Sequence, residues 1–233
     1  CFDLSVAERE SGKLVRPEVV ARFHPVNRED FYKTTIEQGQ IKRAFLSNDG
    51  LGKLVAAITN SLYSGDQYDE YVLMKELVAQ YDPHFKQVDC AKVVDQNTAQ
   101  DFMRAIKQVS TDMTFMSTDF NKAGVMQKSE KSEQVLLIHK NVDTLVSTDL
   151  LAWAFHGDNF DANIQKVVVD DFGGLANTQA VLVDKEWFVV HDKLFETTNE
   201  FNPQGLYWNY WLHHHQLLST SQFQNAVKFS IAP

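Results

Sequence analysis

Three consecutive histidines, His213-His214-His215, are the residues whose type could most readily do chemistry. Neutral imidazoles are the commonest metal ligands, and a hydrolytic zinc site is built from a few of them around an open position. The spacing argues against such a site. Consecutive side chains on a strand point to opposite faces, so only His213 and His215 could share one. A pair does not complete a ligand set, and no local Asp, Glu or Cys is implied to orient it. The expected arrangement is a strand with one buried and one wet face.

The remaining candidates are weaker. Asp158, Asp161 and Asn163 match part of a calcium loop, but its glycine and terminal glutamate are missing, which leaves a solvated turn. Asp170-Asp171 follow a strand-like run; they read as a metal or base position at a strand end, or as the turn that ends it. Cys90, inside an apolar run, reads as an inert core thiol. The sequence contains no Gly-rich phosphate loop, nucleophile elbow, CxxC or HExxH. Side-chain chemistry therefore implies no catalytic residue, no metal site and no cofactor.

The elements that carry these residues are mixed. Gly50–Tyr81 lacks proline and has apolar residues at helical spacing, first Leu51, Leu54, Val55, Ile58 and Leu62, then Tyr71, Met74, Leu77, Val78 and Tyr81. Two readings stand: one helix of roughly 45 Å, or two helices meeting at Gly65 with Ser64 and Gln67 as a capping box. Arg28–Ile36 and Gln40–Leu46 read as short helices parted near Gly39. Phe85–Ala91, Val135–His139 and Gln165–Asp170 read as strands. Asn97-Thr98 opens a helix with Phe102, Ala105, Ile106, Val109 and Met113 on its face, and Thr98 with Asp101 forms its capping box. Residues 117–133 read as a surface loop and Asn141–Phe155 as helix. Ala180–Val183 and Trp187–Val190 flank Asp184-Lys185-Glu186 as a hairpin. Strand-like runs follow at Phe195–Phe201, Leu206–Leu218 and Val227–Ile231. The fold class is α+β.

Composition narrows the function classes. Against 22 Lys and Arg stand 31 Asp and Glu, a net charge of −9. That balance excludes a dedicated nucleic-acid binder, whose affinity rests on basic residues. A protein that encloses nucleic acid without gripping it remains compatible. Two cysteines make no disulfide framework, and without a secretory signal a reduced, cytosolic setting is expected. No apolar run approaches the roughly 18–20 residues that span a bilayer. A start at Cys1 rather than methionine reads as a fragment or a processed product. The most distinctive composition is Leu206–Leu212 (LYWNYWL). Alternation places Tyr207, Asn209 and Trp211 on one face and Trp208 and Tyr210 on the other, so both faces are expected to be covered, by the core or by a neighbouring subunit.

Five segments resemble a known family in form and order: Arg28–Tyr32 (REDFY), Asp69–Val78 (DEYVLMKELV), Ala180–Val190 (AVLVDKEWFVV), Asn202–Tyr210 (NPQGLYWNY) and Asn225–Phe229 (NAVKF). Together they look like the major capsid proteins of small short-tailed bacteriophages, the phi-twenty-nine-like group, which adopt the Hong-Kong-ninety-seven (Johnson) fold. The resemblance spans Arg28 to Phe229. It implies a peripheral domain (27–93) with Gly50–Tyr81 as one continuous spine helix, an axial domain (94–194), peripheral strands (195–221) and a return to the axial domain (222–233). Residues 1–26 would be what remains of an extended loop lying over the adjacent subunit. On this resemblance, the family's N-terminal arm, its first loop strand and the immunoglobulin-like domain some members carry are expected to lie outside residues 1–233. Lys13 lies where certain shells cross-link, but no matching motif supports that chemistry here.

The function so implied is structural: self-assembly into pentamers and hexamers of an icosahedral head around double-stranded DNA, with no enzymatic activity. Partners would be further copies, scaffold and portal proteins, with no membrane, and the location would be the virion, assembled in the host cytoplasm. Candidate intersubunit contacts are Arg9, Lys13, Arg16 and Arg22 in the arm, and Trp208 and Tyr210 in the aromatic strand. Two alternatives accompany this reading: an encapsulin-like nanocompartment shell, and a metal-dependent hydrolase using His213 and His215.

Overall fold

A computed structural model describes residues 21–46, 49–146, 164–175 and 177–232. Strand β1 (Arg28–Glu37) leads into helix α1 (Gln38–Phe45) and the long helix α2 (Gly50–Tyr81). A 3-10 turn, Asp82–His84, precedes β2 (Lys86–Cys90) and α3 (Gln96–Asp112). Next come β3 (Gln134–His139) and a helix, α4, described over 140–146. Strands β4 (Gln165–Val169), β5 (Thr178–Asp184), β6 (Phe188–Asn202), β7 (Tyr207–Thr220) and β8 (Ala226–Ile231) complete the chain. A five-stranded mixed sheet has the order β2-β8-β5-β3-β4, and a three-stranded antiparallel sheet the order β1-β7-β6.

The five-stranded sheet is covered on both faces. Its central strand β5 is buried at every position, and its alternation feeds two cores. Ala180 and Leu182 join Leu136, Ile138, Val227 and Phe229 beneath Phe102, Ile106 and Met113. Val181 and Val183 face the other way, toward Leu137, Val169, Phe172 and Trp187, where the end of α2 supplies Val78 and Tyr81. Complete burial of the larger of these aliphatic side chains contributes on the order of 2 kcal/mol each.

Helix α2 is one unbroken helix of 32 residues. Its apolar stripe is used unevenly: Leu62, Val78 and Tyr81 are buried, whereas Leu54 and Ile58 are half-buried and Val55 is exposed. The break considered at Ser64-Gly65 does not occur. Pro83 ends the α-helix through a 3-10 turn.

Three local expectations change. Arg28–Ile36 is strand, not helix, because Arg28, Tyr32 and Ile36 repeat at period two as well as at helical spacing, and Thr34-Thr35-Ile36 favours an extended chain. Its full length pairs with β7, from Arg28 opposite Gln216 to Glu37 opposite Tyr207. The hairpin at Asp184–Trp187 is also absent. β5 pairs with β3 and β8, whereas β6 pairs only with β7, so the chain changes sheets at this turn. Trp187, fully buried, decides it. Its ring packs edge-on against Tyr81 at 5.0 Å and against Phe188 at 4.7 Å, with Phe85 at 5.7 Å, forming an aromatic waist between the sheets. Finally, the capping box of α3 is Asp95 with Thr98, not Thr98 with Asp101; Asp101 instead pairs with Arg104. The expected helix beyond 146 and the Asp158–Asn163 turn lie outside the described residues.

Candidate assembly surfaces

The three-stranded sheet is joined to α2 by a buried polar network. Even-numbered residues of β7 face the helix, so Leu212, His214, Gln216 and Leu218 are buried. The Arg28 guanidinium, from β1, reaches Asp30 at 2.9 Å, Gln216 at 2.9 Å, the Tyr32 hydroxyl at 2.9 Å and Asp66 at 2.7 Å. Asp66 is itself buried on α2 and also meets His214 Nδ1 at 2.7 Å. On its other side His214 Nε2 lies 3.2 Å from Asp192 of β6. Through its two ring nitrogens His214 bridges the two carboxylates, one on α2 and one on β6. The network thus ties all the strands of this sheet to one turn of the helix, and it fixes register more than it adds net stability.

Protonation follows from these contacts. Burial opposes the Arg28 charge, but Asp30, Tyr32 and Asp66 outweigh it and hold its pKa above the ordinary value. Burial, aided by the Asp69 carboxylate that accepts its proton, pushes the Tyr32 hydroxyl up to about 12. A second pin joins α2 to the turn after β4. The Tyr71 hydroxyl donates to Asp170 at 2.6 Å, and Lys75 donates to Asp170 and Asp171, each at 2.9 Å. Asp170 is held well below the usual carboxylate range, first by Tyr71 and then by Lys75; Asp171 is lowered chiefly by Lys75. These aspartates therefore close a turn onto the helix.

The opposite face of the three-stranded sheet is open. Glu29, Phe31, Lys33 and Thr35 are exposed along β1, and Trp211, His213 and His215 are half-buried beside them on β7. Phe31 is 66 % exposed. Lys33 lies over the Trp211 ring at 5.6 Å. Strand β6 is exposed from Val190 to Phe201 and, among the described residues, pairs on one edge, with β7. Among the described residues the aromatic strand is therefore covered unequally: the helix lies over one side, while on the other Asn209 is buried beside Thr35 and Trp211, His213 and His215 are only half-buried.

Of the residues expected at subunit contacts, Arg9, Lys13 and Arg16 lie outside the described residues. Arg22 is exposed. Trp208 and Tyr210 are half-buried near the tip of the sheet, on its helix-facing side, with Trp208 against Phe201 at 5.1 Å. The histidine run behaves differently from the hydrolase reading. His213 and His215 do share a face, but it is the open one, where among the described residues His213 meets Thr198 and a tilted Phe31 ring. His214, the member set aside, is the one with partners. Among the described residues, no group of three or more His, Cys, Asp or Glu could hold a metal ion. Cys90 is buried, and burial pushes its thiol pKa up, as for an inert core cysteine. No described helix is long and apolar enough to cross a membrane.

A mixed five-stranded sheet, a separate antiparallel sheet and a long helix between them define the phage-capsid fold. The capsid protein of Staphylococcus phage Andhra superposes with a TM-score of 0.73 over 100 % of this chain and 77 % of that one, at 12 % identity. Sequence goes further. The family model for the Phi29-like phage major capsid protein matches residues 1–230. The major capsid proteins of Bacillus phages PZA and B103 are 33 % and 34 % identical over 98 % of this chain, each match covering 52 % of the relative. The chain belongs to the Phi29-like phage major capsid protein family, a structural and not an enzymatic one. It spans about half the length of these curated relatives. Neither the nanocompartment nor the hydrolase reading finds support among them.

Proposed function

We propose that this chain forms the shell-building part of a major capsid protein, which assembles head to tail into the pentamers and hexamers of an icosahedral head enclosing double-stranded DNA. The observation that carries the reading is the family match from residue 1 to 230, which includes the whole of the open three-stranded sheet. Heterologous contacts that close into rings need two different complementary surfaces. The bare face of β1-β7-β6 supplies one, and the half-covered first half of α2 another. The peripheral domain then consists of β1, α1, α2, β6 and β7, and the axial domain of β2 to β5, α3, α4 and β8. The pairing of β2 with β8 and the start of β6 at Phe188 support drawing these boundaries near 85 and 187 in this reading, in place of 93 and 194.

Arg9, Lys13, Arg16 and Arg22 contact the adjacent subunit from the arm, and Trp208 and Tyr210 contact it from the sheet tip. Scaffold and portal proteins are partners during assembly in the host cytoplasm, and the acidic balance of the chain keeps the wall from gripping DNA. Electron microscopy of the expressed protein, with and without scaffold, tests this. Closed particles with five- and six-fold rings are expected. Monomers under every assembly condition would overturn it.

A further inference from the structure

The end of α2, the end of β7, the segment at 22–27 and the loop at 122 enclose a polar groove of about 250 Å³. Arg22, His84 and Lys122 line it with Gln80, Ser219 and Thr220, and no carboxylate lines it among the described residues. Neither Arg22 nor Lys122 has an ion pair among the described residues. Nearby acids are engaged elsewhere: Asp82 pairs with Lys228, and Glu76 accepts from Gln80. Tyr81 also lines the groove; it is 5 % exposed, and its hydroxyl has no hydrogen-bond partner. The nearest polar groups, the Trp187 indole N–H and the Lys122 backbone N–H, are donors and do not complete a hydrogen bond with that hydroxyl, so its proton lacks an acceptor. Burial pushes the Tyr81 pKa up, which keeps the proton in place. A buried donor without an acceptor, beside unpaired cations, is the complement of an oxyanion.

We propose that this groove binds an oxyanion, and that its occupant is an Asp or Glu carboxylate from a second copy of the chain. The carboxylate accepts from the Tyr81 hydroxyl and lies between Arg22 and Lys122. Its volume suits one acidic side chain, and its cations form a pocket, not the continuous basic track that a nucleic-acid backbone requires. A copy carrying 31 Asp and Glu offers such groups widely. Only the identity of the occupant rests on the shell reading; the oxyanion site stands on its own geometry.

Titration of the protein with sodium phosphate and with sodium acetate, followed at the Trp187 indole N–H by NMR, tests the site. A saturable shift is expected with both. Arg22→Ala and Lys122→Ala, exposed changes that leave folding intact, should each weaken phosphate about tenfold, as for a charge-assisted hydrogen bond. Tyr81→Phe keeps the ring against Trp187 and should weaken binding comparably without lowering the melting temperature. No saturable shift, or unchanged affinity in all three variants, overturns the site. For the occupant, DNA-free particles assembled from mixed light- and heavy-isotope copies are treated with carbodiimide. An amide from Lys122 to an Asp or Glu of differently labelled origin is expected. Phosphate binding without that amide, or displacement of phosphate by a short DNA duplex, overturns the second copy as occupant. Failure to form particles overturns both the shell reading and the occupant, while the phosphate titration still decides the groove.

Discussion

Asp66 shows how one residue organises the helix-facing side of the sheet. It is buried on α2 one turn beyond the stripe member Leu62, where an apolar side chain would be expected, and it meets both Arg28 and His214. Asp66→Ala leaves the buried Arg28 guanidinium and the His214 ring without their shared partner, and should lower unfolding free energy by about 3–5 kcal/mol, read from chemical denaturation. The Lys75 pin responds to pH instead. Asp170 and Asp171 have folded pKa values below the ordinary carboxylate value, so their stabilisation is complete above that range and fades as pH falls below about 4. Lys75 is raised, by Asp171 first and then Asp170, so its share is lost only at strongly alkaline pH. The difference in urea midpoint between the parent and Lys75→Gln should be flat near neutrality and close in acid. A gap that stays open in acid would count against the pin.

At the scale of elements, continuity of α2 has a direct test. Gly65→Pro removes a mid-helix hydrogen bond and clashes with the preceding turn, so it should cost about 3 kcal/mol or more by denaturation. A comparably strict position is Gly173, at φ +61, where an added Cβ would lie 3.0 Å from the Lys75 carbonyl and 3.1 Å from Ala79. Gly173→Ala should therefore undock the β4–β5 turn and cost about 1–3 kcal/mol in thermal unfolding. The helical character of Gly50–Tyr81, the buried strands and the runs that became β7 and β8 were legible from their apolar spacing; the continuity of α2 came from the family resemblance, and β6 was read as two separate runs. β1 was not: Arg28, Tyr32 and Ile36 satisfy the helical period and the strand period at once, and only pairing with β7 separates them. The Asp184–Trp187 turn carried a genuine turn signal, yet turn chemistry says nothing about whether the next strand stays in the same sheet. In the network, an acid inside the α2 stripe was a readable sign of Asp66, whereas its link to His214 needs a register no single sequence provides. The open face leaves standing the second of the two coverings expected for the aromatic strand, a neighbouring subunit: aromatic residues mark contact surfaces without saying which molecule makes the contact.

For the whole molecule, the proposed shell role predicts that folding and assembly separate on the bare sheet. Phe31→Lys places a charge on a side chain that is already solvated, so the melting temperature should shift by no more than about 0.5 kcal/mol in stability terms. Particle yield by sedimentation should nevertheless fall sharply. Equal loss of folding and assembly would mean that Phe31 is structural. The aromatic waist around Trp187 carries a mechanical consequence. Strand β6 starts one residue beyond that ring and runs 15 residues, about 50 Å, to Asn202. It is a lever whose fulcrum is a cluster of interlocked rings. A rotation of about 5° at the fulcrum swings the far end by about 4 Å over that length, enough to make or break a contact between copies. Small changes in ring packing at Tyr81, Phe85, Trp187 and Phe188 are thereby amplified at the far end of β6.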